Sequence, residues 1–305
     1  MKRISYYLNL IARNTDTFYQ LSDNEFDQLR KLFIEMYFDI KKVCDKYGLT
    51  VMLGFGSALG ARRHNGFIPW DDDFDMIMPR EDVEIFRCIF EQELSDKYIL
   101  SSPRTSQEAK TLYMQVIKKN TTMLDADDLN RLDACGIRVD IYPIEHLPDS
   151  FLWREIKIKL VDILRVIAIS TSIFHTKNKL FQRVMKFNRE TKLYYTIRYI
   201  IGMVFSVFGK TNLYNLYDKF ASCSKGKKFL YVPTAYMGKK SMLLAEDYLP
   251  AGSELFEGVS MPVPHNNDVY LKRLYHDYMQ LPPIEGRERH FYVRVDFHKA
   301  PNDIE

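Results

Sequence analysis

Four aspartates fall within five positions of one hydrophobic stretch, GFIPWDDDFDMIMPR at residues 66–80: Asp71, Asp72, Asp73 and Asp75. Phe67, Ile68, Trp70, Phe74, Met76, Ile77 and Met78 surround them. Carboxylates this close repel, and one that leaves water must pair with a positive charge or take up a proton. Read at period two, DFDMIM places Asp73 and Asp75 on one face of a strand and Phe74 on the other. Two carboxylates so placed can share one cation, and Asp140, in the hydrophobic run GIRVDIYP, offers a third. Hard oxygen donors of this kind suit Mg²⁺ or Mn²⁺, which bind through a few carboxylates plus substrate phosphates. The matching chemistry is phosphoryl transfer, in which the ion neutralises phosphate oxygens and steadies the leaving group. A solvated turn is the competing reading of the run, and for Asp71 and Asp72 it stands beside the metal reading.

A second motif precedes the acids. LTVMLGFG reads as a short buried strand, and SALGARRH as the opening of a helix, with Gly56 and Ser57 at the junction. A strand-to-helix turn of this type presents backbone N–H groups and a helix N-terminus, which together cradle phosphate. Gly-Ser, a gap of 15 residues, acid–hydrophobic–acid, then a third acid on a later strand is the arrangement of nucleotidyltransferases. Arg62, Arg63 and His64 behind the turn could neutralise a nucleotide phosphate or form an exposed basic helix turn. Lys118 and Lys119 could line the pocket or end a strand in solvent. Trp70 reads as a core anchor or as a cation–π partner for a quaternary ammonium. His290, beside Arg287 and Arg289, could bind phosphate or cap the last strand.

The elements that must hold these groups follow from periodicity. Residues 23–47 place Phe26, Leu29, Phe33, Met36, Ile40 and Val43 at helical steps, with Ser22 or Asp23 as cap and Gly48 as stop. REDVEIFRCIFEQEL after Pro79 predicts a second helix, and LYMQVIKK and GIRVDIYPI predict two further strands. This order predicts an α+β fold, a nucleotidyltransferase-like mixed sheet flanked by helices. Four segments result: an N-terminal helical part (1–48), a catalytic core (49–148), a basic helical insertion (149–228), and a C-terminal segment of short strands and helix (229–305) that completes the site.

With 305 residues, 46% apolar and 27% charged, the chain can bury a full core, and its net charge of only +3 does not mark a nucleic-acid binder. The charge is uneven. Residues 151–228 carry 16 Lys or Arg against four acids, so this segment is strongly basic and the remainder is net acidic. That asymmetry suggests a surface for anionic lipid or polymer, and plain packing on the core is the alternative. Cys44, Cys88, Cys135 and Cys223 are scattered without a C-x-x-C pair, which indicates free thiols rather than zinc or a disulfide framework. The first 16 residues do not read as a secretory signal, and no apolar run is long enough to span a bilayer. A cytoplasmic protein is expected, with two alternatives for 151–228: packing on the core, or peripheral contact to the inner face of the membrane.

GSALGARRHNGFIPWDDDFDMIMPRED resembles the LicD family, and the likeness continues through VIKKNTTML, RVDIYPIE, FEGVSMPVPHNNDVYLKRLYHDYMQLPP and His290. Members resemble nucleotidyltransferases, as do their relatives in the fukutin group. They are assigned to move phosphocholine, or a phospho-alcohol such as ribitol phosphate, from a CDP carrier to a glycan hydroxyl of lipopolysaccharide, teichoic acid or capsule. By that resemblance Asp73 and Asp75 match the metal-binding acids and Asp140 the third, catalytic carboxylate. Gly56 and Ser57 match the nucleotide-phosphate turn and Arg63 and His64 the basic pair; Lys118 is a phosphate-binding candidate from its place at a strand end. Trp70, Asp72, Asp277 and His290 are the further substrate-binding candidates. The chain departs from the family at Tyr275, His276, Asp277 and Tyr278, where Tyr-Gly-Asp-Tyr is usual, and it lacks a relative's cysteine-rich zinc insertion.

The expected activity is Mg²⁺- or Mn²⁺-dependent transfer from a CDP-alcohol to a glycan or lipid-linked glycan, with release of CMP. Two alternatives share the site residues: a nucleotidyltransferase that releases pyrophosphate from a nucleoside triphosphate, and a silent glycan- or partner-binding module.

Overall fold

The computed structural model describes residues 18–104, 111–125, 135–175, 189–233, 238–284, 287, 290 and 292–300. The N-terminal leader reading and Arg289 lie outside these residues, as does part of the basic segment.

The fold is α+β. Helix α1 (Asp23–Tyr47) begins at a capping box, with the Ser22 and Glu25 side chains answering each other's backbone, and ends on Gly48 in the left-handed region. Its apolar stripe, Phe26 to Val43, is buried as the spacing requires. The next elements are β1 (Met52–Leu53), α2 (Phe55–His64), β2 (Asp75–Pro79), α3 (Arg80–Leu94), β3 (Tyr98–Ser101), β4 (Met114–Lys118), β5 (Thr122–Asp125) and β6 (Arg138–Leu147). The sheet order is β1-β2-β6-β4-β3, with β2 and β6 parallel and the other pairs antiparallel. The far end of β6 adds β7 (Phe229–Tyr231), which pairs with β8 (Leu243–Leu244). Short helix α7 (Ala245–Tyr248), hairpin β9 (Gly252–Phe256)–β10 (Val259–Val263) and α8 (Asn267–Tyr275) follow. The last strand, β11 (Tyr292–Asp296), pairs with β5.

Two strand expectations are corrected. LTVMLGFG keeps only Met52–Leu53 as strand, because α2 starts at Phe55 with Gly54 as its cap. DFDMIM becomes strand only at Asp75, so Asp73 stands in the extended lead-in and not on β2.

Between β6 and β7 the chain makes three helices, α4 (Phe151–His175), α5 (Arg189–Phe205) and α6 (Lys210–Ala221). The main core runs from Leu29 to Val295 through sheet, α1, α3 and the C-terminal elements, whereas the insertion buries smaller clusters around Ala168, Ile158 and Val161.

Candidate active site

Phe74 anchors the acidic run. It is buried among Phe33, Tyr37, Phe67 and Phe256, with ring centroids 5.6–6.2 Å away. Burying one aromatic of this size is worth roughly 2–3 kcal/mol, enough to hold the flanking carboxylates at a fixed height over the sheet. Asp75 opens β2, and its register partner on β6 is Asp140. The Asp75 amide donates to Ser57 Oγ at 2.9 Å, and the Asp140 amide to the Phe74 carbonyl at 3.1 Å. Gln115, opposite Asp140 on β4, donates to Asp140 Oδ1 at 2.9 Å.

The N-terminus of α2 closes the group. A Cβ on Gly56 would stand 2.8 Å from Asp71 Oδ2 and 4.0 Å from Asp75 Oδ2, so only glycine lets the helix start this close to the acids. The partial positive charge of a helix N-terminus partly offsets them. Ser57 is here a strut for β2: its hydroxyl accepts from the Asp75 amide, which leaves its O–H and its backbone N–H for phosphate recognition.

Four carboxyls thus crowd one place. Burial, then repulsion from Asp73 and Asp140, drives Asp75 well above the usual carboxylate range. Burial and the neighbouring Asp73 and Asp72 do the same to Asp71. Burial lifts Asp73 to about 6 and also raises Asp140. His290 is the cationic group acting on all four. Its Nδ1 lies 2.9 Å from Asp72 Oδ1, and its Nε2 3.8 Å from Asp73 Oδ2. Asp75 Oδ1 is buried with no hydrogen-bond partner, which is costly for a carboxylate.

A divalent ion fits that orphaned oxygen. Among the described residues no three His, Cys, Asp or Glu side chains form a ready-made metal site. The fit is therefore to an ion that takes one or two carboxylates and completes its shell with water and substrate phosphate, as Mg²⁺ does.

The remaining sequence candidates divide. Arg63 reaches the site: it feels Asp71 and Tyr275, donates to His64 Nε2 at 3.0 Å and to the Tyr278 carbonyl at 2.7 Å. His64, accepting that bond, is held neutral by burial and by Arg63. Arg62 is exposed and pairs with Glu254. Lys118 does not join the acids, because its ammonium pairs with Glu35 on α1 at 2.6 Å and lies over Tyr98. Lys119 bonds the Ser95 carbonyl. Asp72 is buried and both its oxygens accept from His290, so it straps the C-terminal segment to the core and is neither a solvated turn nor a free substrate ligand. Trp70 is half-buried with the Arg287 guanidinium 4.1 Å over its ring, so that face already has its cation. Asp277 is exposed on the turn after α8.

Sequence reasoning left Asp71 between the turn and the cluster, and it missed a tyrosine wall. Tyr113 lies beside Asp140 and helps to hold its pKa down, and its ring sits tilted, 4.2 Å from Tyr142, which meets Phe55 at 5.0 Å. Burial and the negative field of Asp75, Asp71 and Asp73 raise the Tyr275 hydroxyl as well. Gln115 and Tyr113 sit at period two on β4's approach, a signal that becomes legible only once β4 is known to pair with β6.

The family departure at His276 has a backbone consequence. His276 takes φ 63° and ψ −112°, a conformation natural to the glycine usual there and strained for a side chain. Its side chain is exposed, and its amide bond to the Lys272 carbonyl needs no side chain. His276→Gly should therefore stabilise the fold by about 1 kcal/mol, read as a melting temperature raised by about 2 °C. A lower melting temperature would show that the imidazole, not the turn, sets this position.

Residues 48–161 match the family described as LicD/FKTN/FKRP, nucleotidyltransferase domain. Over 266 residues the chain is 27% identical to the lipopolysaccharide cholinephosphotransferase LicD of Haemophilus influenzae, covering 81% of this chain and 89% of that protein. The matched domain contains α2, all four clustered aspartates, Asp140 and the β2–β6 pair.

Proposed function

The chain belongs to the LicD family, and from that premise we propose that it transfers phosphocholine, or a related phospho-alcohol, from a CDP-activated donor to a glycan hydroxyl and releases CMP. The observation that carries this reading is the set Asp71, Asp73, Asp75 and Asp140 at the N-terminus of α2, Asp75 buried and the other three half-buried, with Asp75 Oδ1 unsatisfied. The related Haemophilus protein, named for phosphocholine transfer to lipopolysaccharide, supports the choice of alcohol and of acceptor class. The tyrosine wall agrees, since ring faces recognise a quaternary ammonium.

Asp73 and Asp75 are the residues that would hold Mg²⁺ or Mn²⁺, with water and donor phosphate completing the shell. When bound, such an ion supplies charge neutralisation for the donor diphosphate. The backbone of Gly56 and Ser57 binds phosphate oxygens at the helix N-terminus, and Arg63 adds positive charge from behind. Gln115 orients Asp140. Asp140, made more basic by burial, accepts the proton of the acceptor hydroxyl. That oxygen bonds to the phosphorus bearing the alcohol, the bond to the CMP oxygen breaks, and CMP leaves as its phosphate anion. Lys118 has no part in this scheme, being committed to Glu35.

The test is incubation with CDP-choline, CDP-ribitol, CDP-glycerol and CTP, each with and without Mg²⁺ and a glycan acceptor, scored for CMP and pyrophosphate. CMP released with acceptor-linked phospho-alcohol is the expected result, and Asp73→Ala should stay folded and lose it. Pyrophosphate from CTP would assign a nucleotidyltransferase instead. No Mg²⁺-dependent nucleotide binding at all would leave a silent module.

A further inference from the structure

The helical insertion turns its apolar side chains outward. On α4, Trp153, Ile156, Leu160 and Ile163 recur at steps of three and four, and all are exposed. Leu193, Ile197, Ile200, Val204 and Val207 do the same along α5 and the turn after it, with Val207 80% exposed. Three cationic side chains lie inward instead, beside the apolar clusters of Ile158, Val161 and Ala168. Arg154 bonds the Asp149 carbonyl, Lys157 the Phe220 carbonyl, and Arg198 the Val166 carbonyl and Ser170 Oγ, all buried. Helices facing water have the opposite polarity. The two helices form one unit, because Gly202 lets α5 approach α4 so closely that a Cβ would stand 2.1 Å from the Ser170 carbonyl.

We infer that this unit docks on an anionic bilayer, with α4 and α5 lying in the interface. Charge selects that occupant. The segment that bears this face, residues 151–228, holds 16 Lys or Arg against four acids, so a second copy would bring two strongly basic segments together, whereas anionic lipid neutralises one. The ends of the face are built for an interface. Phe151, Leu152 and Trp153 are exposed at the start of α4, where Asp149 gathers the amides of the exposed Lys227 and Lys228. Val207 and Phe208 are exposed at the other end. Aromatic and aliphatic side chains beside lysine stems are the anchors of in-plane amphipathic helices. No described helix is long and apolar enough to cross a membrane, so the contact is with one leaflet. This inference goes beyond the transfer reaction and does not depend on which alcohol is moved.

Flotation of the full chain with phosphatidylcholine vesicles, and with vesicles holding about 30% phosphatidylglycerol, at about 0.1 and 0.5 M NaCl tests it. Binding at least about tenfold stronger to the anionic vesicles, and weakened by salt, is expected. Trp153→Glu combined with Val207→Glu should lower that binding by roughly a hundredfold, with melting temperature and CMP release towards a soluble acceptor unchanged. Lys227→Glu with Lys228→Glu should lower it by about tenfold without touching the apolar face. Equal binding to neutral vesicles, or undiminished binding by both double variants, overturns the inference. So does a wild-type dimer that the Trp153→Glu/Val207→Glu variant dissociates, which would give the face to a second copy. Loss of CMP release by wild type would overturn the transfer reading while leaving flotation unaffected, so the two fail separately.

Discussion

Asp75→Asn is expected to reduce transfer by about 10³-fold or more while raising the melting temperature of the metal-free protein near pH 7.5. Both effects come from one carboxylate. Asp75 is buried, its Oδ1 has no partner, and Asp73, Asp140 and Asp71 repel its charge. An amide of the same size removes the repulsion and the cation ligand together. The pH dependence has a definite sign. Asp73 rises from 3.8 to about 6 in the folded state, and Asp75 and Asp71 are raised as well. Between the unfolded and folded values the native protein holds the extra proton, so stability falls as pH rises through that window and is not recovered above it. The metal-free wild type should therefore melt higher at about pH 5 than at about pH 7.5 as far as this cluster is concerned. Added Mg²⁺ should raise the melting temperature at the higher pH and do little at the lower, because it binds the ionised cluster. In Asp75→Asn the Mg²⁺ effect should shrink sharply. Full transfer activity in that variant would remove the cluster from the mechanism.

Local physics was readable before the fold was known. Ser22, Glu25 and Gly48 delimit α1 because caps act within a turn of the chain, and the pairing of Phe74 against Asp75 follows from pleat alternation. The need for a third acid on another strand pointed to Asp140, although nothing local names it as Asp75's register partner. Asp73 was misplaced by one boundary, since a strand starts where a neighbour offers a ladder, and β6 begins to pair at Asp75. The roles of Asp72 and Lys118 were hidden for the same reason at longer range. Their partners, His290 and Glu35, are 218 and 83 residues away, and a charged side chain takes whichever partner the fold brings. The inverted helices show another limit. Periodicity reports that α4 and α5 have an apolar stripe, but not whether it meets protein, water or lipid.

The insertion meets the catalytic sheet through a buried ion network as well as the apolar cluster of Leu147, Ile158 and Tyr231, and breaking the network should be strongly destabilising. Asp218 on α6 is almost fully buried and accepts from Arg80 at 3.0 Å, from Arg87 at 3.4 Å and from Arg104. Arg80, on α3, also pairs with the buried Glu145 on β6, the strand that carries Asp140 five residues earlier. Burial pushes Asp218 up, but Arg80, Arg87 and Arg104 outweigh it and hold the carboxyl below its ordinary value. A depressed carboxyl stabilises above its unfolded pKa and loses that contribution as pH falls through the folded one. Asp218→Ala would strand three guanidinium groups with only Glu145 and the half-exposed Glu84 to answer them. Breaking one side of a buried ion network costs about 3–5 kcal/mol, far above the 0–1 kcal/mol of surface pairs. The urea midpoint should fall accordingly, and hydrogen exchange should open α4–α6 before the β2–β6 core. Asp218→Asn, which keeps the shape and part of the hydrogen bonding, should fall between. A loss under about 0.5 kcal/mol in Asp218→Ala would mean that water reaches these arginines and that the insertion is held by its apolar contacts instead.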